Sequence, residues 1–299
     1  MSTMVEIKHR PVLVDKVVDL MNPECGKVFV DATVGDGGHS LALFERCEDI
    51  RIIAIDRDPE AIKRSKMFLE SYGDRVEFHN INFIEIDRVV SYFVDGVIFD
   101  LGLSTFQIFD DKRGFSFGRN SPLDMGMDEG AMSVEHFINS ASPDEIADVL
   151  YQYGGERKSR RIARRIVSER EKEPIMTTSR LATIVKCAYP PGYHRIHPAT
   201  RTFQALRIWA NSELNHLRVA LPKALRVIRP GGVVVVISYH SLEDRIVKVE
   251  FARTAESAEY ELITRKPITP DRSEILNNRS SRSAKLRAIK RSDSRKRGS

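Results

Sequence analysis

Val28-Phe29-Val30-Asp31-Ala32-Thr33-Val34-Gly35-Asp36-Gly37-Gly38-His39-Ser40 decides how the chain is read. An apolar run ends in an acid, closely spaced glycines follow, and Leu41, Ala42, Leu43 and Phe44 open a helical pattern. That succession predicts strand, tight turn, helix, with the glycines letting backbone approach a ligand beyond the strand's carboxyl end. About 20 residues on, a second buried run, Ile52-Ile53-Ala54-Ile55, stops at Asp56, where a ribose-binding carboxylate belongs. The third glycine of the dinucleotide fingerprint is missing, because Ser40 holds its place. Asp31 instead sets a carboxylate beside the loop, which suits a cationic ligand better than a pyrophosphate.

Outward from this stretch the pattern repeats. Strands are predicted at 28–32, 51–56, 76–79 and 96–101, and helices at 39–47, 59–72 and 84–92, with Pro59 after Asp58 as a helix start. Four such units imply a mostly parallel sheet with helices on both faces. Past Asp100 the alternation stops. Helical patterns follow at 133–139, 143–152, 157–172, 178–188 and 199–217, the last running on to 228, before Pro230-Gly231-Gly232 turns into a strand at 233–238. The expected division is therefore an α/β domain, 1–109 with 216–299, interrupted by an all-helical insertion, 110–215.

The 299 residues carry a net charge of +5, a modest bias toward anionic partners. Three scattered cysteines, Cys25, Cys47 and Cys187, match no metal-ligand spacing and read as buried thiols of a reducing compartment. No apolar run is long enough to span a membrane and no signal peptide is evident, so a cytoplasmic protein is expected. His194, His197 and His240 lack the partners of a metal site, and no metal is expected. Trp209, spaced with Leu206, Ile208 and Leu214, reads as core. Two basic segments stand out. Arg157, Lys158, Arg160, Arg161, Arg164, Arg165 and Arg170 share one predicted helix, open either to phosphate contact or to plain solvation. From Arg272 onward ten basic residues (Arg272, Arg279, Arg282, Lys285, Arg287, Lys290, Arg291, Arg295, Lys296, Arg297) face two acids, which suggests nucleic acid.

Several longer motifs, in order over nearly the whole chain, resemble a known family. They are His9-x-Pro11-Val12-Leu13, the loop Asp31–Ser40, Asp56-Arg57-Asp58-Pro59, Asp100-Leu101-Gly102-Leu103-Ser104, Arg113-Gly114-Phe115-Ser116-Phe117, Pro122-Leu123-Asp124-Met125, His197-Pro198-Ala199-Thr200-Arg201-Thr202-Phe203-Gln204, Tyr239-His240-Ser241-Leu242-Glu243-Asp244-Arg245 and Ser283-Ala284-Lys285-Leu286-Arg287. The resemblance is to the bacterial RsmH family, long called MraW. It implies a Rossmann-like methyltransferase fold, S-adenosylmethionine (SAM) as cofactor, and methylation of N4 of a cytidine in small-subunit ribosomal RNA at the decoding centre. The small subunit and its rRNA are then the partner; a homodimer is left open. By the same resemblance Gly37, Gly38, His39, Asp56, Phe83, Asp100 and Gln107 contact the cofactor; Ser104, Arg201 and His240 are the candidate substrate residues. Gly126, Asn278 and Tyr239 depart from the family's usual arginine, proline and phenylalanine.

The exocyclic nitrogen of cytosine is a poor nucleophile, so the enzyme must orient its lone pair and exclude water. Asp100 and the main chain of 101–104, just past the fourth strand, are placed to accept the amine's hydrogen bonds. Asp100 as a cofactor ligand only, with the amine held by main chain and the Ser238–His240 segment, stays open. Attack at the ring carbon would need a thiol after the fourth strand, where Leu101 stands, so direct in-line transfer without a covalent intermediate is expected. An RNA-binding factor without turnover, a nicotinamide dehydrogenase and a DNA amino-methyltransferase are the rival readings; Asp100-Leu101-Gly102-Leu103 lacks the polar-Pro-Pro-aromatic motif of the last.

Overall fold

The structure is a computed structural model; it describes residues 11–194 and 196–293, with nothing said of the side chains of Thr105 and Phe109. His9 of the first motif and Arg295, Lys296 and Arg297 of the basic segment lie outside the described residues. The elements run α1 (Val14–Met21), β1 (Val28–Asp31), α2 (Gly38–Arg46), β2 (Arg51–Asp56), α3 (Pro59–Phe68), β3 (Val76–Asn80), α4 (Ile86–Val89) and β4 (Val94–Asp100). Then come α5 (Thr105–Phe109), α6 (Val134–Ser140), α7 (Pro143–Gly154), α8 (Ser159–Arg170), α9 (Thr178–Lys186), α10 (Ala199–Ala210) and α11 (Glu213–Val227). β5 (Ile228–Ser238), α12 (Ser241–Thr254), β6 (Tyr260–Leu262), α13 (Arg272–Asn277) and β7 (Lys285–Arg291) complete the chain.

The chain divides into two compact units, one up to Gly102 and from Leu214 on, the other Leu103–Glu213. These seams fall a few residues before the expected 109/110 and 215/216, because α5 belongs with the helical unit. In the first unit the seven strands lie in the order β3-β2-β1-β4-β5-β7-β6. The first five are mutually parallel and β7 is antiparallel to both its neighbours. This is a Rossmann-like sheet, whose strand order reverses direction between β1 and β4. Alternation along the strands feeds two cores. Phe29, Ile52, Ala54, Ile98, Val233 and Val235 face the helices α1 and α2, whereas Val30, Ile53, Ile55, Val97, Phe99, Val234 and Val236 face α4, α11 and α12. The second unit has its own core, from Phe115 to Ala210, with Trp209 packed against it and its ring tilted against that of Phe137, centroids 4.1 Å apart.

Four expectations need correction. The helix expected to run unbroken from 199 to 228 stops at Asn211, and Ser212 takes a positive φ. Asn211 is buried, its Nδ2 donating to the Met125 and Arg207 carbonyls and its Oδ1 accepting from Met127 N, which side-chain chemistry no helical pattern reveals. Second, Cys25 and Cys187 are exposed rather than buried. Third, the strand β7 lies in the segment from Arg272 onward, read as basic and nucleic-acid-directed. Fourth, within that segment Lys285 and Arg287 point inward: Arg287 Nε donates to Asp244 Oδ1 at 2.6 Å and Lys285 Nζ to Oδ2 at 2.9 Å. Arg291 likewise donates to the Ile228 carbonyl. Among the described residues no helix is long and apolar enough to cross a membrane.

Burial opposes the charge on Asp244, but the hydrogen bonds from Arg287 and Lys285 outweigh it and hold the carboxyl below its usual range. Removing it leaves a buried guanidinium unpaired, so Asp244→Ala should cost about 3 kcal/mol in denaturant unfolding at pH 7. A group whose pKa is lowered by folding gives stability above its unfolded pKa and loses it as pH falls through the folded value. The deficit of the variant should therefore shrink below about pH 4; a pH-independent deficit would show that the ion pair is not its source.

Candidate active site at the carboxyl edge of the sheet

Register places the carboxylates. Asp31 at the end of β1 lies level with Ala54 on one side and Ile98 on the other, so Asp56 and Asp100 each stand two residues further along the flanking strands. The β1–α2 turn therefore emerges between two carboxylates at the point where strand order reverses, the usual ligand crevice of an open α/β sheet.

Asp31 does not itself face a ligand. It is buried, accepting Ser40 Oγ at 2.8 Å, and burial pushes its carboxyl upward. Its role is to tie the start of α2 back to β1. Gly37 caps α2 with φ +88°, a left-handed conformation that favours glycine. Gly38 has a different reason to be glycine: a Cβ there would lie 2.4 Å from Cγ of Pro11, in the segment before α1.

Asp56 accepts Gly35 N on Oδ2 and Asp58 N on Oδ1, each at 2.9 Å. Burial outweighs those bonds and pushes its carboxyl up to about 6. Each oxygen keeps lone pairs beyond its backbone partner, which suits a pair of hydroxyl donors. Phe83 follows β3, where Asn82 caps the turn and hydrogen-bonds His216, and its ring meets Phe99 edge to face at 5.6 Å. It forms an apolar wall held from below by the strand that ends in Asp100.

Asp100 is the most elaborately held group. Its backbone N donates to Thr33 Oγ1 at 2.7 Å, Tyr239 Oη donates to Oδ1 at 2.8 Å, and His39 Nε2 lies 3.2 Å from Oδ2. Burial works against a charged imidazole at His39, but the Asp100 hydrogen bond and the charges of Asp100 and Asp31 raise its pKa. Burial and the Asp100 charge push the Tyr239 phenol far up, which keeps it a donor. Nδ1 of His39 is buried with no hydrogen-bond partner among the described residues. Tyr239 and Thr33 were not singled out as site residues by the sequence; the one available sign was that Tyr239 departs from the phenylalanine usual in the resembling family.

The remaining expected residues are used locally. Ser104 and Gln107 form a capping box on α5: Gln107 N donates to Ser104 Oγ and Ser104 N to Gln107 Oε1. Arg201, on α10, donates to the Gly155 carbonyl at 3.3 Å. These three belong to the helical unit. His240 is the N-cap of α12, its Nδ1 accepting Glu243 N, while Glu243 accepts Tyr239 N at 2.9 Å. His197 stacks on Phe117 at 4.6 Å.

The set fits a SAM-type ligand: a left-handed glycine turn, a carboxylate with free lone pairs, an aromatic wall, and a buried imidazole nitrogen that bonds to none of the described residues. Tyr239→Phe should lower stability by about 1–3 kcal/mol, the worth of a hydrogen bond to a charged group. In a double-mutant cycle with Asp100→Asn most of that loss should disappear, and additive losses would show that the hydroxyl acts elsewhere.

A model of the MraW methylase family matches residues 6–292. Ribosomal RNA small subunit methyltransferase H of Ehrlichia chaffeensis is 43% identical over 294 residues, covering 94% of this chain and 99% of that protein. The protein of the same name from Anaplasma marginale is 45% identical over 289 residues, covering 95% and 99%. A solved rRNA methylase from Streptococcus thermophilus aligns over 97% of this chain and 100% of its own at 11% identity, with a TM-score of 0.47. With the family model spanning nearly every residue, and relatives of this identity matching end to end, the chain belongs to the MraW methylase family.

Proposed function

We propose that the chain transfers a methyl group from SAM to the N4 amine of a cytidine in small-subunit ribosomal RNA near the decoding centre. The observation that carries this reading is the Asp56–turn–Asp100 arrangement at the strand-order reversal, in a member of a methylase family whose relatives bear small-subunit rRNA methyltransferase names. When bound, SAM supplies a methyl group made electrophilic by its sulfonium. Asp56 would hold the ribose hydroxyls, Phe83 the flat face of the adenine, and the turn at Gly37, Gly38 and His39 the remainder.

The chain's own contribution is orientation. Asp100 is fixed by two donors, so its carboxylate cannot turn away when the amine arrives. Donating one N–H to that carboxylate, or to the carbonyls of Leu101 and Gly102, aims the nitrogen lone pair and favours the positive charge that develops on it. Loss of an N–H proton then restores a neutral amine. No thiol stands beside Asp100, where Leu101 is buried, in keeping with direct transfer. Ser104 and His240 are assigned to the substrate by their place just past β4 and β5, Arg201 is a further substrate candidate, and Gln107 is assigned to the cofactor by the resemblance.

The test is transfer of labelled methyl from SAM to purified small subunits lacking the modification. The wild-type chain should label one cytidine, and subunits with uridine at that position should take up none. Asp100→Ala should lower transfer by roughly 10²–10³-fold or more. A folded chain that binds subunits and SAM without turnover would establish the assembly-factor reading instead, and full activity of Asp100→Ala would remove Asp100 from the site.

A further inference from the structure

In the helical unit the surface of α8 is built at variance with its own stability. Arg160, Arg161, Arg164 and Arg165 are exposed and recur at helical spacing, Arg157 is exposed in the turn just before the helix, and Ile162, Ala163 and Ile166 on the other side are fully buried. Within the helix two pairs four residues apart, Arg160–Arg164 and Arg161–Arg165, carry like charges, which weakens a helix. The first turn holds no acid, although that end of the macrodipole favours one, and Lys158 provides no side-chain cap.

Neighbouring basic residues show what an internally used side chain looks like here. Arg170 donates to the Ile138 carbonyl, Arg180 pairs with Glu173, and Lys158 lies 4.4 Å above the Tyr189 ring. Among the described residues none of the five arginines makes an ion pair or a side-chain hydrogen bond. Glu156, the acid beside the start of the helix, is buried and already engaged by Lys158 N and Tyr189 Oη. Arg201 reaches the Gly155 carbonyl at the α7–α8 turn and prolongs the positive surface past Arg157.

We infer that this arginine stripe is a docking surface for the phosphate backbone of RNA. Four guanidiniums in two adjacent rows span about 7–8 Å along the axis, at 1.5 Å per residue, with Arg157 in the turn just ahead of them. Each offers a fork of donors that fits phosphate oxygens in pairs. Contacts of this kind position an RNA without reading its bases. The inference rests on the rRNA reading only for the identity of the polyanion.

The test is a fourfold variant, Arg160→Gln, Arg161→Gln, Arg164→Gln and Arg165→Gln, which keeps helix-forming side chains and removes the charge. Binding of labelled small-subunit rRNA is measured by anisotropy across a salt series, beside methyl transfer and the thermal melt. Expected are an affinity at least tenfold lower, a salt slope shallower by about three, a higher KM for small subunits with kcat little changed, and an unaltered or slightly raised melting temperature. Unchanged affinity and slope in a folded variant overturn the inference, even if methyl transfer by the wild type upholds the function. Charge-dependent binding to vesicles of anionic phospholipid, with RNA binding untouched, overturns it in favour of a membrane surface. A wild-type chain that binds no RNA overturns both.

Discussion

A carboxylate at the end of a parallel strand must find donors or forfeit its charge, and Asp100 finds them on both sides. One oxygen is met by Tyr239, which follows β5, the other by His39, which opens α2; its backbone is anchored to Thr33 in the turn between. Three connections leaving neighbouring strands are thereby tied to one point. The glycine turn, the position of α2 and the start of the β5–α12 connection all depend on that knot, and the surface it leaves open is where the chemistry is assigned.

The cost of such a site is concentrated charge in partial burial. Asp31 and Asp56 are pushed upward by desolvation, while His39 is drawn toward its charged form by the acids around it. Asp31 relieves its burial with the Ser40 hydroxyl and serves the fold. Asp56 relieves it only in part, with two backbone N–H groups, and remains poised to accept more. Groups left under-satisfied in this way are the ones a ligand can reward.

Much of this was legible along the chain, because local signals set it. The apolar runs that end in Asp31, Asp56 and Asp100, the glycines after the first and Pro59 after the second identify strand ends and turns without any partner. What escaped is long-range. Tyr239 meets Asp100 across 139 positions, and Arg287 meets Asp244 across 43. Neither contact leaves a mark in composition or periodicity, and a strand carrying Lys285, Arg287, Lys290 and Arg291 reads as a charged tail until its acid partner is seen. Gly38 shows the converse. Its identity was expected to reflect a ligand's approach, and Pro11, ahead of α1, gives a second reason against a side chain there.

The central claim is that ionised Asp56 and its surroundings grip the ribose of a SAM-type molecule. Calorimetric titration with S-adenosylhomocysteine, the demethylated product, from pH 8 down to pH 5 tests it most directly. One site per chain is expected, with affinity constant at high pH and falling roughly tenfold per unit below about 6, as protonation of Asp56 replaces an acceptor with a donor. No uptake by the folded chain, or an affinity indifferent to pH over that range, would contradict it.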